Sequence, residues 1–352
     1  MNREAHMAQD GAWAPLLLAD PSPNLRLLVL RELLERPEAD EEVQELAALR
    51  ESDPIVQNLL SIQDADGSWP ALEGGRQRTR STTQALVRLG YLGFGPSHPA
   101  VRRGAEYLFG LQQEDGSWPL PQGKGEGDRD LREGYSMIPL QTGMPLRALA
   151  MAGYAADPRA ERAYEWLLAR SLPDGGWPTG VRGGKQVFAG GYRRLAHSRL
   201  GCRTNTTFAV SALAHHPERR TGSEARRGLD LLLAQDSLPA HTLGFEVART
   251  IGVERARGFF TYFARYDVGL ILDLCWRIGA SLEDPRVAGM VDFVRNLQGP
   301  RGLWLYAAHP EASRWVSFDL LRSLSRIDLE SDWLSLEPPT PFQPYPKARR
   351  RY

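Results

Sequence analysis

Carboxylates that stand close to aromatic residues are the side chains of this chain best suited to acid–base chemistry. Tyr266 directly precedes Asp267, and Trp315 stands four residues before Asp319, each pair near the start of a segment with helical spacing of apolar residues. A carboxyl group that is unpaired and removed from water has a raised pKa and can act as a general acid. We therefore predict that Asp267 and Asp319 are catalytic, with Tyr266 and Trp315 beside them in a substrate pocket.

Other polar and basic residues at the starts of similar segments complete the predicted pocket. They are Arg80, Tyr135, His197, Arg203, Asn205 and Arg314. Arg203 and Arg314 are candidates to pair with the two carboxylates, and such pairs are more often structural locks than catalysts. His197 lies in an arginine-rich loop that is suited to a diphosphate or another anion, although an exposed loop without a ligand is the commoner outcome.

Two kinds of helix alternate along the chain and would position these residues. Outer helices begin at an x-Pro pair, where Pro suits the first helical turn, and carry charged residues on one face. Their predicted starts are Asp53, His98, Asp157, His216 and Asp284. Inner helices are poorer in charge and richer in Leu. They are predicted at Pro23–Arg36, Thr82–Gly90, Thr142–Gly153, Thr204–Ala214, Val268–Gly279 and Ser317–Ile327.

A short phrase that ends in Trp recurs between the helices. Gln63–Pro70 and Gln112–Pro119 are full copies, with an Asp-Gly turn signal between Gln and Trp. Partial copies are Asp10–Pro15, Leu172–Pro178 and Gln298–Trp304, and Gln235–His241 is a decayed one. Because ligand sites are few per protein and this phrase recurs at each junction, we interpret it as a device that joins helix pairs rather than as a ligand motif.

The repeat predicts an all-α fold, an (α/α)6 toroid of alternating inner and outer helices. The units are roughly 45 to 65 residues long, so about six of them fit in the chain and close a ring around an axial cavity. We predict one toroid domain over residues 1–335 and a Pro/Arg-rich tail over residues 336–352. Either Glu41–Arg50 or this tail would supply the remaining outer helix.

A Gln, an Asp-Gly turn and a Trp between paired helices resemble the QW repeat of terpenoid cyclases, whose toroid the β-subunits of protein prenyltransferases share. The resemblance covers nearly the whole chain and implies a central pocket for an isoprenoid or another apolar substrate. Class II cyclases protonate their substrate with an Asp-x-Asp-Asp motif, which this sequence lacks. The resemblance therefore specifies the fold more than the reaction, and any chemistry would follow a divergent mechanism.

The metal and thioester motifs of related toroids are incomplete in this sequence. Asp273 and Cys275 have the spacing of two prenyltransferase zinc ligands, but Val316 stands where a His is needed. Two ligands from one helix do not make a zinc site. Cys202 has Asn205, not Gln, three residues later, so a thioester ring would be one carbon short. We predict no metal and no cofactor.

Composition limits the partners further. The 43 basic and 43 acidic residues cancel, which disfavours nucleic acid as a partner. No apolar run reaches the roughly 18 residues of a transmembrane helix. Two cysteines and the absence of signal-peptide features in residues 1–15 predict a cytoplasmic protein.

Three functions remain open, and the lining of the axial pocket separates them. An enzyme related to terpenoid cyclases would have aromatic and apolar walls with one buried acid. A non-catalytic binding or scaffold toroid would have a filled or narrow axis. A carbohydrate-active α/α barrel would have two open carboxylates with stacked Trp residues.

Overall fold

In the computed structural model of this 352-residue chain, the described residues are 10–70, 78–118, 135–136, 139–188, 192–234, 241–254, 266–327 and 333. The helices are α1 (Ala14–Leu18), α2 (Pro23–Glu32), α3 (Glu41–Leu49), α4 (Pro54–Ser61), α5 (Arg78–Tyr91), α6 (Pro99–Gly110), α7 (Pro139–Leu149), α8 (Pro158–Leu168), α9 (Arg203–Ala214), α10 (Ser223–Leu233), α11 (Phe245–Thr250), α12 (Val268–Ile278), α13 (Pro285–Asn296) and α14 (Ser313–Arg326). The strands are β1 (Tyr135–Ser136), β2 (Gly180–Arg182), β3 (Lys185–Val187), β4 (His241–Thr242) and β5 (Tyr266–Asp267).

Aspartate caps fix the starts of three outer helices, as the x-Pro pairs predict. The carboxylates of Asp53, Asp157 and Asp284 each accept a hydrogen bond from the backbone N–H two residues later, at 3.1, 2.8 and 2.9 Å. Each cap is followed by a Pro at the first helical position. The side chain satisfies a backbone donor that has no partner within the helix, and Pro removes another such donor, so the helix begins there.

The predicted start of an outer helix at His216 was wrong. The Nδ1 atom of His216 accepts hydrogen bonds from the backbone N–H groups of Glu218 and Arg219, both at 3.1 Å. These bonds close a tight turn, and a short 3-10 helix (Arg219–Thr221) follows it. Helix α10 begins only after Gly222. At His216 a side-chain cap of the same kind is followed by a 3-10 turn and not directly by an α-helix.

The predicted inner helices are present as α2, α5, α7, α9, α12 and α14. Every residue of α7 and of α9 is buried, whereas outer helices such as α8 and α10 also carry exposed residues. Along the ring, α5 contacts α7, α7 contacts α9, α9 contacts α12, α12 contacts α14, and α14 contacts α2. The prediction of an all-α toroid is confirmed.

Contacts between the two ends of the chain close this ring. Arg314 on α14 forms an ion pair with Asp20 before α2, at 3.3 Å. Near the other end of the same helices, Arg326 pairs with Glu32 at 3.3 Å. Helix α3, over Glu41–Leu49, packs on α2, so one of the two segments proposed for the remaining outer position is helical.

The Trp phrases join each outer helix to the following inner helix. In four of the phrases the indole Nε1–H donates to the carbonyl oxygen ten residues earlier, on the preceding outer helix, at 2.7 or 2.8 Å. The backbone N–H of the same Trp donates to a hydroxyl group on the next inner helix at 2.8 to 3.2 Å. The four residues are Trp69, Trp118, Trp177 and Trp304, and all are buried.

The Gln of the phrase links neighbouring repeats. The side-chain amide of Gln112 donates to the carbonyl oxygen of Gly116 at 2.8 Å and to that of Arg159, on the next outer helix, at 2.9 Å. Gln63 makes the equivalent pair of bonds to Gly67 and Ala100, both at 2.9 Å. One amide therefore satisfies two carbonyl groups from different repeats, and the interpretation of the phrase as a joining device agrees with these bonds.

One short helix inside the ring was not predicted. Helix α11 contacts α5, α12 and α14, which stand at different places around the ring, so α11 lies in the ring axis. Strands β4 and β5 pair in parallel beside it, with Thr242 opposite Asp267. The decayed Trp phrase precedes this helix and, except for the backbone of His241, lies outside the described residues.

The remaining segments add little to the ring. Strands β1, β2 and β3 form a small antiparallel sheet in the order β1-β2-β3. Of the C-terminal residues after 327, only Trp333 is described, and its indole N–H donates to Asp284 at 3.0 Å. None of the helices in the described ranges has the length and apolar character that crossing a membrane requires.

Candidate functional site

A cavity of about 480 Å³ opens on the ring axis where the inner helices end. Each of the six inner helices contributes a residue from its last turns or from just beyond its end. These residues are Glu32, Tyr91, Met151, His215, Trp276, Arg277, Arg322 and Arg326. Arg220, from the turn after α9, completes the polar part of the wall. The cavity is therefore axial, as the toroid predicts, but it opens at the C-terminal ends of the inner helices.

Arginine and tryptophan dominate one wall of this cavity. The guanidinium carbon of Arg277 lies 4.4 Å from the centre of the Trp276 ring, and that of Arg326 lies 4.9 Å from it. The indole N–H of Trp276 donates to Asp273 at 3.1 Å. The ring is held by this bond, so both guanidinium groups have a fixed surface to pack on.

His215 adds a neutral imidazole to the cavity wall. Burial and the nearby charge of Arg277 lower the pKa of His215 to about 3. Its Nδ1 lies 2.8 Å from the carbonyl oxygen of Ser211, which can only accept a hydrogen bond, so Nδ1 carries the proton. The Nε2 atom of this residue is consequently an acceptor.

Below the cavity a smaller void of about 30 Å³ continues along the axis and shares part of its lining, including Tyr91 and His215. Asp319 and Asp273 border this void. Arg322 contacts both carboxylates, closely at Asp319 and at 3.7 Å at Asp273. The hydroxyl of Tyr91 lies 3.4 Å from Asp319. Two carboxylates thus share one guanidinium group on the axis.

The pKa values of the two carboxylates shift in opposite directions. Burial raises the pKa of Asp319 to about 6, because Arg322 opposes that effect only in part and the charge of Asp273 adds to it. Burial would also raise the pKa of Asp273, but Arg277, which donates to it at 2.8 Å, and Arg322 hold that pKa well below its ordinary value. Neighbouring acids whose pKa values are driven apart can divide the roles of proton donor and charged partner.

Helix α11 closes the inner end of the void with a buried ion cluster. Glu246 accepts hydrogen bonds from Arg147 on α7 at 2.6 Å and from Arg249 on its own helix. Although burial opposes it, the charges of Arg249 and Arg147 lower the pKa of Glu246 to about 2. Arg88 of α5 donates to the carbonyl oxygen of Thr250 at 2.7 Å. The axis is therefore partly filled by charged side chains.

Asp267 holds α11 in this position. Its carboxylate accepts three backbone N–H bonds, from Gly244 at 3.0 Å, Glu246 at 2.6 Å and Gly269 at 3.1 Å. Burial raises the pKa of Asp267 to about 7 against the opposing effect of these hydrogen bonds. Asp267 thus joins the start of α11 to the start of α12, which is a positional task.

The other predicted residues do not gather around Asp267 and Asp319. Arg314 pairs with Asp20 and not with either carboxylate. Asn205 accepts a hydrogen bond from the backbone N–H of Leu140 at 2.9 Å, which joins α9 to α7. The guanidinium carbon of Arg203 lies 5.7 Å from the ring centre of Tyr266.

Of the predicted pocket residues, Trp315 comes near Asp319, because both lie close to Tyr91. Its ring centre lies 6.3 Å from that of Tyr91, whose hydroxyl is near the carboxylate.

Burial and the charge of Arg249 lower the pKa of Arg80 at the start of α5. His197 is exposed in its loop with a positive φ of 59°, and Tyr135 is described only by its backbone in β1. Among the predicted residues with described side chains, only Asp319 borders the axial void, and none lines the larger cavity.

The two cysteines are buried and not bonded to each other. Burial raises the pKa of both thiols. Asp273 is engaged by Arg277 and Trp276 rather than turned toward a shared site with Cys275. In the described part of the chain, no group of three or more His, Cys, Asp or Glu residues is placed to hold a metal ion.

The arginines of the cavity were not predicted, because the candidate residues were taken from the starts of the inner helices. The signal that would have found them is basic residues in the second halves of otherwise apolar helices. Arg277 and Arg322 follow this pattern on α12 and α14. A charged residue on a buried helix needs a partner in the interior, so its position marks the polar part of the axis.

With this geometry in place, comparison with known proteins gives one family match. Residues 41–193 match the squalene-hopene cyclase C-terminal domain. The resemblance to the squalene cyclase-like superfamily is confirmed over that part of the chain, which includes three of the buried Trp phrases. No curated protein matches the chain.

Several solved structures are also similar. A protein from Actinoplanes is 16% identical, covers 91% of this chain and 99% of its own, and has a TM-score of 0.47. The type II terpene cyclase MstE from Scytonema is 16% identical, covers 77% of this chain and 95% of its own, and has a TM-score of 0.32. A variant of MstE in complex with its substrate, geranylgeranyl dihydroxybenzoate, is 14% identical, covers 78% of this chain and 95% of its own, and has a TM-score of 0.32.

Proposed function

We propose that this chain is a terpenoid cyclase-like ring whose axial cavity binds a small ligand with an apolar part and a polar part. The observation that carries the proposal is the cavity of about 480 Å³ at the shared ends of the six inner helices. Small-molecule sites typically have volumes of about 300–1,000 Å³. Tyr91, Met151 and Trp276 offer a surface for an isoprenoid or another apolar group, and the arginines offer donors for a polar one.

Native mass spectrometry and solvent extraction of the purified protein test this proposal. Met151→Trp adds bulk to the cavity wall, and Ile62→Trp adds the same side chain at a position that is 40% exposed. We expect the wild type and Ile62→Trp to retain a small molecule that Met151→Trp loses. Equal retention by both variants would contradict binding in the axial cavity. Circular dichroism checks that both variants are folded.

Acid catalysis by Asp319 is a second candidate function. The buried position of Asp319 on the axial void, with a pKa raised to about 6, supports it as the proton donor. We favour Asp319 over Asp267 because three backbone N–H groups already occupy the Asp267 carboxylate. Once a retained ligand is identified, Asp319→Asn should bind it and leave it unchanged, while the wild type converts it. Conversion at the wild-type rate by Asp319→Asn would exclude this role.

Non-catalytic binding is the alternative that α11 favours, since this helix and its ion cluster occupy part of the axis. It predicts that the wild type retains a ligand and releases it chemically unchanged. The carbohydrate-active alternative has less support, because Asp273 and Asp319 both contact Arg322 instead of facing an open cleft.

A further inference from the structure

Positively charged groups outnumber negatively charged ones on the cavity wall. Four guanidinium groups line the cavity, those of Arg220, Arg277, Arg322 and Arg326, against the single carboxylate of Glu32. Two further carboxylates, Asp273 and Asp319, lie behind this wall on the smaller void. Asp319 is the weaker counter-charge of the two, since burial raises its pKa to about 6.

Three of the four arginines that line the cavity form ion pairs with carboxylates. Arg277 pairs with Asp273 at 2.8 Å, Arg322 pairs closely with Asp319, and Arg326 pairs with Glu32 at 3.3 Å. No carboxylate in the described part of the chain lies within salt-bridge distance of Arg220, the fourth arginine of the wall. Arg220 is exposed, so its head group is accessible from solvent.

Helix dipoles account for only part of this arrangement. The C-terminal end of a helix carries about half a negative charge, and basic residues in the last turn offset it. Arg277 and Arg326 stand in the last turns of α12 and α14 and are explained in this way. Arg220 stands in the 3-10 turn after α9, outside the inner helices, and is not explained by them.

The arginines also crowd one another. Burial lowers the pKa of Arg326, and the charges of Arg322 and Arg277 lower it further although Glu32 opposes them. Arg277 and Arg326 both lie on the Trp276 ring, at 4.4 and 4.9 Å from its centre, so two positive charges share one packing surface. An anion placed between such groups relieves their repulsion.

We propose that Arg220 and Arg326 form an anion subsite at the cavity mouth, which binds the carboxylate or phosphate group of the cavity's ligand. This inference rests on the proposed function, because it assigns the polar part of the ligand bound in the axial cavity. Guanidinium groups bind both kinds of oxyanion through paired N–H donors. The apolar part of the ligand then extends along the axis toward Met151 and Tyr91.

Calorimetric titration of the purified full chain with sodium phosphate and with sodium benzoate, at constant ionic strength set by chloride, tests the subsite. We expect Arg220→Gln and Arg326→Gln each to weaken binding of the preferred anion at least tenfold. Arg301→Gln, which removes an exposed arginine that does not line the cavity, should leave it unchanged. Preference for phosphate identifies a phosphorylated ligand, and preference for benzoate identifies a carboxylate on a flat ring.

Binding of neither anion above the chloride background would overturn the subsite, as would equal weakening by Arg301→Gln. The extraction experiment separates this failure from failure of the proposed function. A ligand that is lost from Met151→Trp but retained by both cavity-arginine variants supports the cavity and overturns the anion subsite. A ligand retained equally by Met151→Trp and the wild type overturns the cavity itself.

Discussion

Replacement of Glu246 by Gln should destabilise the ring strongly, because it removes the negative charge at the centre of the buried axial cluster. Glu246 accepts from Arg147 at 2.6 Å and from the Nε atom of Arg249 at 3.1 Å. The three side chains are only 9%, 6% and 6% exposed. A neutral amide in place of the carboxylate would remove the counter-charge that these two buried arginines share.

The magnitude follows from two independent arguments. Removal of one partner from a buried ion pair typically costs about 3–5 kcal/mol. The pKa of Glu246, lowered from 4.5 to about 2, corresponds to about 3 kcal/mol of favourable interaction with the ionised form. Urea unfolding at pH 7 measures the loss. With an m-value of about 3 kcal/mol per molar urea, the midpoint should fall by about 1–1.7 M.

The pH dependence of the same variant provides a second check. A lowered pKa in the folded state stabilises the protein fully above the unfolded value of 4.5, and this stabilisation is lost as the pH falls toward 2. The difference between the wild type and Glu246→Gln should therefore shrink over that window. Asp64→Asn is the matched control, since its pair with Arg78 is 41% and 51% exposed and should contribute at most about 1 kcal/mol. A loss below about 1 kcal/mol in Glu246→Gln would refute the conclusion that this ion cluster holds α11 in the axis.

Three further predictions concern the joints and the acid. Gly116→Ala should destabilise the protein by about 2 kcal/mol or more in urea unfolding, because Gly116 has a φ of +91° and an added Cβ would lie 2.4 Å from a backbone oxygen of the next outer helix. Trp118→Phe should cost about 1–3 kcal/mol in the same assay, since the carbonyl of Leu108 loses its buried indole donor at 2.8 Å. The carboxylic acid of Asp319 should give an infrared C=O band below about pH 6 that disappears above it, because burial raises its pKa to about 6.

Each of these has its own control. Gly95→Ala has open space around the added carbon and should change stability by less than about 0.5 kcal/mol. Equal effects at Gly95 and Gly116 would contradict the clash. A Trp118→Phe variant as stable as the wild type would show that the indole bond contributes nothing. Persistence of the infrared band in Asp319→Asn would assign it to another acid.

Much of the fold was predictable because its signals are local. An x-Pro pair with an Asp cap sets the start of an outer helix within three residues, as at Asp157. The indole of a phrase Trp donates to a carbonyl group ten residues earlier, on the preceding outer helix, as Trp177 does. The exception is His216, where a cap of the same kind is followed by a 3-10 turn and α10 begins only after Gly222.

The candidate site was much less predictable, because its geometry depends on pairings between distant segments. Arg314 was expected near Asp267 or Asp319 but pairs with Asp20, which lies 294 residues away in the sequence. Asp319 itself was predicted from its aromatic neighbours, and the structure adds Arg322 and Tyr91 as the groups around it. Its catalytic role remains a proposal.

The sequence by itself therefore determined a ring of inner and outer helices and the Trp joints between them, since periodicity, caps and turn residues act over a few positions. Only the tertiary structure decided which end of the ring is open and that α11 lies in its axis. The physical reason is that buried charges such as Glu246 and Arg322 select partners by distance in space. No spacing along the chain encodes that distance.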